Sequence, residues 1–129
     1  GHPIEDATLS NIQIWARGGG TKAQAAIRPP EREAAYPEPS MFGPTPSYGF
    51  YLRHVKGIIL ENIGLHTLAD DQRPALVLDD VAGADLDRVK SVHAPGVPTL
   101  ALTDVTGLRV RESDNVPDEQ KDRVEQGTL

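Results

Sequence analysis

The sequence predicts an all-β protein of the β-solenoid type, because one short pattern occurs three times in succession. The three copies are Tyr48–His66, Ala75–Val92 and Thr99–Asp114. Each copy begins with two apolar residues that are separated by one residue. A Val follows them, and a Gly stands two positions after that Val. These glycines are 26 and 24 residues apart: Gly57, Gly83 and Gly107. Repeats of this length, made of short β-type runs that Gly interrupts, are typical of stacked solenoid coils.

Alternation within each copy predicts its first strand and the orientation of that strand. Six residues are expected to point into the core: Phe50, Leu52, Leu76, Leu78, Leu100 and Leu102. The residues between them are expected to point outward: Tyr51, Val77 and Ala101. We expect turns in the polar connectors that separate the copies, Thr67–Arg73 and His93–Pro98.

The segment Ile4–Trp15 carries the second half of the same pattern. Four of its residues align downstream at a constant offset of 51: Leu9 with Leu60, Asn11 with Asn62, Ile12 with Ile63 and Ile14 with Leu65. Either a coil is missing between them, or a long loop is inserted within one coil. Residues 16–47 show no strand pattern, which favours the insertion. The first half of this coil is absent, so we expect its open end to pack against another chain or molecule.

Residues 1–116 are therefore expected to form one partial β-solenoid domain of about four coils, into which the loop 16–47 is inserted. Within that loop, Lys22–Ile27 is compatible with a turn or two of helix before Pro29. The apolar pattern ends after Asp114. Residues 117–129 are interpreted as a charged C-terminal tail or a capping helix, the helix with Asp118 as its N-cap.

Composition excludes several function classes. The net charge of −6 argues against nucleic acid as a partner, and a polyacid ligand would require a local basic cluster. There is no cysteine, hence no thiolate metal site, and no apolar run is long enough to cross a membrane. The first residues resemble neither a signal peptide nor a transit peptide, so we expect the signal of a secreted parent protein to lie upstream.

Three segments resemble glycoside hydrolase family 28, the polygalacturonase-like enzymes, and in particular a bacterial branch of that family. They are GHPIEDATLSNI, YPEPSMFGPTPSYGFYLRHVKGIILENI and RPALVLDDVAGADL. The resemblance implies a right-handed parallel β-helix, of about four coils here. It also implies hydrolysis of glycosidic bonds in pectic polysaccharide by a secreted or periplasmic parent protein, without a cofactor.

Family members use three aspartates, a histidine and an Arg–Lys pair, carried by the motifs Asn-Thr-Asp, Asp-Asp after a Gly, Gly-His-Gly and Arg-Ile-Lys. None occurs here in the family's context. The resemblance therefore implies a C-terminal segment that is inactive alone, with no catalytic residue of its own. The alternative is a non-catalytic β-solenoid module that binds carbohydrate or a protein partner.

Asp79–Asp80 could supply the two carboxylates of an inverting glycosidase, which lie about 6.5–9.5 Å apart. Both residues fall at a turn of the coil, however, where Asp is common for structural reasons. The repeat alignment places Arg53 beside Asp79 and His54 beside Asp80, which lies beside Asp104. We interpret Arg53 and Asp79 as a surface ion pair. His54, Asp80 and Asp104 are interpreted as solvated turn residues rather than as a proton carrier or a metal site. Asp70–Asp71 is likewise interpreted as a solvated turn.

The inserted loop combines aromatic and basic residues that suit an acidic sugar. Aromatic rings stack on sugars, and Arg binds the carboxylate of a uronate in bidentate geometry. The candidate substrate-binding residues are Tyr36, Phe42, Tyr48, Arg28 and Arg32, with Trp15, Arg17 and Lys22 nearby. The structural alternative is that Phe42 and Tyr48 anchor the loop, while glutamates of the loop neutralise its basic residues.

Overall fold

The computed structural model describes residues 4–26 and 46–129. This part of the chain contains five strands and one short helix: β1 (Ile4–Ala16), α1 (Lys22–Ala25), β2 (Phe50–Thr67), β3 (Leu76–Ser91), β4 (Leu100–Arg111) and β5 (Glu119–Thr128). The strands form one mostly parallel sheet in the order β1-β2-β3-β4-β5. The predicted all-β class is confirmed.

The strands pair in the registers that the repeats predict. Phe50 pairs with Leu76, which pairs with Leu100, in parallel ladders. Leu9 of β1 pairs with Leu60 of β2. Because β1 lies directly beside β2, the offset of 51 residues marks an insertion between two paired strands and not a missing strand. The short helix predicted near Lys22 is also present, and a capping box between Thr21 and Gln24 begins it.

Each long strand bends at the same positions, where the backbone adopts a left-handed conformation. Three columns of residues with positive φ run across the sheet: His54, Asp80 and Asp104; Asp6, Gly57, Gly83 and Gly107; and Asn11, Asn62, Arg88 and Glu112. These positions are missing from the regular ladder pairs. A left-handed residue within a strand redirects the chain, and Gly, Asn and Asp adopt this conformation at least cost. The columns therefore divide each strand into short straight segments.

The core consists of stacked aliphatic residues that recur at the same register position. Leu60 and Leu86 are buried, as are Leu76 and Leu78 below Leu100 and Leu102. Each such leucine contributes about 2 kcal/mol through burial. Along β1 the equivalent side chains, those of Leu9, Ile12 and Ile14, are only partly buried, because β1 lies at an edge of the sheet. Phe50 and Leu52 also pack against the core, in the predicted orientation.

The interpretation of the C-terminal segment as a tail or a capping helix is wrong. Glu119–Thr128 is a strand, and it pairs antiparallel with β4 from Val110 opposite Glu119 to Ala101 opposite Thr128. The edge of β4 presents backbone N–H and C=O groups that need partners, and this long-range pairing outweighs a weak local helical preference. The Asp118 carboxylate caps no helix; it accepts a hydrogen bond from the backbone N–H of Glu112 at 2.9 Å.

No helix among the described residues is long and apolar enough to cross a membrane.

Candidate carbohydrate-binding face

The last straight segments of β1, β2 and β3 form one outer face of the sheet. The bend column of Asn11, Asn62 and Arg88 precedes these segments. Register places Gln13 beside Gly64, which lies beside Lys90, and Trp15 beside His66. We call these five residues the Trp15 face: Gln13, Trp15, Gly64, His66 and Lys90.

Trp15 is a flat and accessible aromatic surface on this face. Its side chain is 66% exposed, the largest exposed ring among the described residues. The indole stacks on the His66 imidazole with the ring centroids 4.1 Å apart and an angle of 19° between the planes. His66 covers one side of the indole, so the stack fixes the orientation of the ring. An exposed aromatic ring held in this way can pack against the C–H face of a sugar.

Gln13 holds the imidazole of His66 in place. His66 Nε2 donates a hydrogen bond to Gln13 Oε1 at 2.9 Å. The amide of Gln13 lies over Gly64, where a Cβ atom would overlap Oε1. Gly64 is therefore the residue that leaves room for the Gln13–His66 hydrogen bond.

The charge of the Trp15 face differs from that of the whole chain. Lys90 is exposed, and Arg17, two residues after Trp15, is exposed as well. The five residues of the face include no carboxylate. The neighbouring segments across the bend, by contrast, carry Glu61, Asp85 and Asp87. The Trp15 face can therefore accept an anionic ligand although the net charge of the chain is −6.

A cavity of about 230 Å³ lies at the end of the same segments. Its walls come from the connectors that follow β2 and β3, namely residues 67–71 and 92–94, and from Tyr48. The offset of 26 residues between β2 and β3 places Val92 next to His66. Val92 also lines the cavity, so the cavity adjoins the Trp15 face.

Tyr48 serves as an anchor in the wall of this cavity. Its side chain is 7% exposed. The hydroxyl donates to the backbone oxygen of Val92 at 2.6 Å and accepts from the backbone N–H of Val92 at 3.1 Å. Burial raises the pKa of the phenol, and the hydrogen bond with Val92 opposes part of that increase. This geometry favours the anchoring alternative for Tyr48. The other four predicted loop residues, Arg28, Arg32, Tyr36 and Phe42, lie outside the described residues.

The interpretation of Asp71 as a solvated turn residue is wrong, since Asp71 is only 2% exposed. Arg73 donates to its carboxylate from Nε and from the backbone N–H at 2.9 Å, and from Nη2 at 2.8 Å. Burial alone would raise the pKa of Asp71. The hydrogen bonds and the charge of Arg73, together with a backbone hydrogen bond from Gly20, outweigh the effect of burial and lower this pKa. A Cβ atom at Gly20 would overlap this ion pair. The Gly-rich segment, residues 18–20, therefore packs on the connector that carries the cavity wall.

The predicted contacts of Arg53 with Asp79 and of His54 with Asp80 are confirmed, but the first is not a surface ion pair, because Asp79 is buried. Arg53 Nε lies 3.4 Å from Asp79 Oδ2, and His54 Nδ1 lies 2.6 Å from Asp80 Oδ2. Asp79 is buried, whereas His54 and Asp80 are exposed at a left-handed bend. Asp79 is thus held in a structural ion pair and is poorly placed to reach a glycosidic bond. Within residues 4–26 and 46–129, no three His, Asp or Glu side chains are grouped so that they could hold a metal ion.

Comparisons with models of protein families, with curated proteins and with solved structures found no match for this chain.

Proposed function

We propose that this chain is the C-terminal part of a right-handed parallel β-helix related to glycoside hydrolase family 28, and that its Trp15 face binds pectic polysaccharide. The observation that carries the binding proposal is the exposed indole of Trp15 held flat on His66. The resemblance of the sequence to the family supplies the substrate class. The catalytic centre would lie in another part of a secreted or periplasmic parent protein.

The regular bends support the β-helix proposal. Four strands stack in parallel with the same side chains in register, and left-handed residues recur at three positions along them. A parallel β-helix requires these two features, because each coil must turn at fixed positions while its strands stack on those of the next coil. The spacing of 24 to 26 residues between glycines agrees with the length of such a coil.

The chemistry of the Trp15 face supports an acidic sugar as the ligand. The indole provides an apolar platform for the ring of the sugar, and the amide of Gln13 provides polar atoms at its side. Lys90 and Arg17 provide positive charge for the carboxylate of a uronate. In this proposal the indole binds one sugar unit of the polymer, and catalysis takes place elsewhere in the parent protein.

The proposal assigns binding without hydrolysis to this chain. Trigalacturonate should quench the fluorescence of Trp15, which is the only tryptophan of the chain. In the same samples, a reducing-sugar assay on polygalacturonate should give no product above the blank. Hydrolysis at the rate of an intact polygalacturonase would contradict the inactive assignment, whereas an unchanged fluorescence at millimolar ligand would contradict binding at this face.

A second function, packing against another β-coil, is favoured by the edge strand β1. Its outer edge faces no described strand, and Leu9, Ile12 and Ile14 are less buried than Leu60 and Ile63 beside them. A parallel strand added at this edge would bury these side chains and pair the backbone groups of β1. Sedimentation velocity tests it: the chain should self-associate, and Ile12→Asp should abolish the association. A wild-type chain that stays monomeric, or association that survives this substitution, would contradict it.

A further inference from the structure

We propose that the cavity beside the Trp15 face is a subsite for a neutral, hydroxyl-rich sugar unit and discriminates against a uronate. The inference rests on the proposed function, because it assigns a second and chemically different subsite to the same ligand. It would let the chain recognise a neutral unit within or attached to an otherwise acidic polysaccharide.

The cavity has a rigid frame, as a binding site requires. The connector after β2 is tied to the Gly-rich segment by Leu68 N–H to Ala16 O at 3.0 Å, Gly19 N–H to Asp70 O at 2.8 Å and Gln72 N–H to Gly20 O at 2.9 Å. The buried Asp71–Arg73 pair stiffens the same connector. On the opposite side, the Tyr48 hydroxyl binds both backbone groups of Val92. Both walls are therefore fixed before a ligand arrives.

The lining of the cavity includes both polar groups and exposed aliphatic side chains that a sugar ring can cover. Leu68 is 75% exposed, and Val92 is also exposed. Exposed aliphatic side chains at the mouth of a cavity lose unfavourable contact with water when the C–H face of a sugar covers them. A volume of about 230 Å³ in a half-open cavity suits one sugar ring and not a polymer segment.

The polar groups of the cavity are mainly hydrogen-bond acceptors. Asp70 is exposed and supplies a carboxylate. His93 Nδ1 donates to the backbone oxygen of Ala94 at 2.9 Å, so that Nε2 is an acceptor whenever the imidazole carries a single ring proton. Acceptors of this kind bind sugar hydroxyl groups as donors. A uronate would bring its own carboxylate close to Asp70, and like charges repel.

Galactose and galacturonate form a matched pair of probes, since they differ only in a hydroxymethyl group and a carboxylate. In titrations followed by amide chemical shifts, galactose should move the signals of Leu68, Ala69 and His93. The affinity for galacturonate, measured from the same signals, should be about tenfold lower. Asp70→Asn removes the charge, so the two sugars should then bind with similar affinity. Asp104→Asn, at an exposed bend far along the chain, is the matched control and should leave the preference unchanged.

Ala69→Phe, which places a ring in the cavity from an exposed position, should abolish the galactose shifts. Quenching of Trp15 by trigalacturonate, recorded on the same variants, separates the two proposals. If that quenching persists while galactose moves no cavity signal, or while Asp70→Asn leaves the preference unchanged, the subsite is wrong and the Trp15 face stands. If neither probe binds, both proposals fail.

Discussion

The side-chain amide of Asn62 donates a hydrogen bond to Asn11 Oδ1 at 2.7 Å, although 51 residues separate the two positions in the chain. Both residues occupy the same bend column with positive φ, 58° at Asn11 and 54° at Asn62. The bond therefore joins β1 to β2 at the point where both strands turn. It shows that the inserted loop leaves the stacking of the strands intact.

Asn62→Ala should destabilise the protein more than Asn62→Gly. The alanine loses the hydrogen bond to Asn11 and also lacks the short polar side chain that lets asparagine tolerate the left-handed conformation, for a total of about 2 kcal/mol. The glycine loses the hydrogen bond but tolerates the conformation, at about 1 kcal/mol. Urea denaturation measures both values, with Glu61→Ala on the adjacent exposed position as the control. Equal losses for the two substitutions would show that the left-handed bend imposes no constraint.

Asp71→Asn should destabilise the protein by about 2 kcal/mol at neutral pH, because it removes a buried carboxylate from three hydrogen bonds with Arg73. The folded pKa of Asp71 lies below its ordinary value of 3.8. The stability that the carboxylate contributes is thus present above pH 3.8 and is lost as the pH falls through the lower folded pKa.

The unfolding free energies of the wild type and Asp71→Asn should therefore converge as the pH decreases below about 4. Asp70→Asn, at the exposed neighbouring position, should follow the wild-type curve. A constant difference between wild type and Asp71→Asn from pH 7 to pH 2.5, in denaturation at each pH, would rule out this role of the ion pair.

Removal of residues 117–129 should cause the chain to associate at lower concentrations than the full chain. The deletion takes away β5, which pairs along the whole edge of β4 and partly covers the core with Val124 and Leu129. The backbone groups of β4 would then be open to a strand from another molecule. Sedimentation velocity measures the association. Val124→Asp keeps the strand but weakens its packing, so its association should lie between that of the full chain and that of the truncated chain. A truncated chain that sediments like the full chain would refute this capping role.

Strong patterns in the sequence predict the parallel stack of strands. The features that they do not predict, β5 and the burial of Asp71, depend on contacts between distant segments. The glycines and alternating leucines carry the register of β2, β3 and β4, and the offset of 51 placed β1 beside β2. β5 was missed because nearly all its residues are polar, and it forms a strand through the open edge of β4. The burial of Asp71 depends on Gly20 packing over it, which the local sequence around Asp71 does not show.

The same offset contained the signal for the candidate site. It pairs Trp15 with His66, whereas residue type alone places Trp15 with the aromatic residues of the loop. The cavity could not be predicted, since it depends on how two connectors lie next to each other in space.

Calorimetric titration of Trp15→Ala with trigalacturonate tests the central claim most directly, because the claim places an acidic sugar on the indole. Trp15→Ala should bind about tenfold more weakly than the wild type. Trp15→Phe, which keeps an aromatic ring, should lie between them. Ile59→Ala removes an exposed apolar side chain from another face and should bind as the wild type does. Equal affinity of the wild type and Trp15→Ala, or no binding by the wild type at millimolar ligand, would contradict the account.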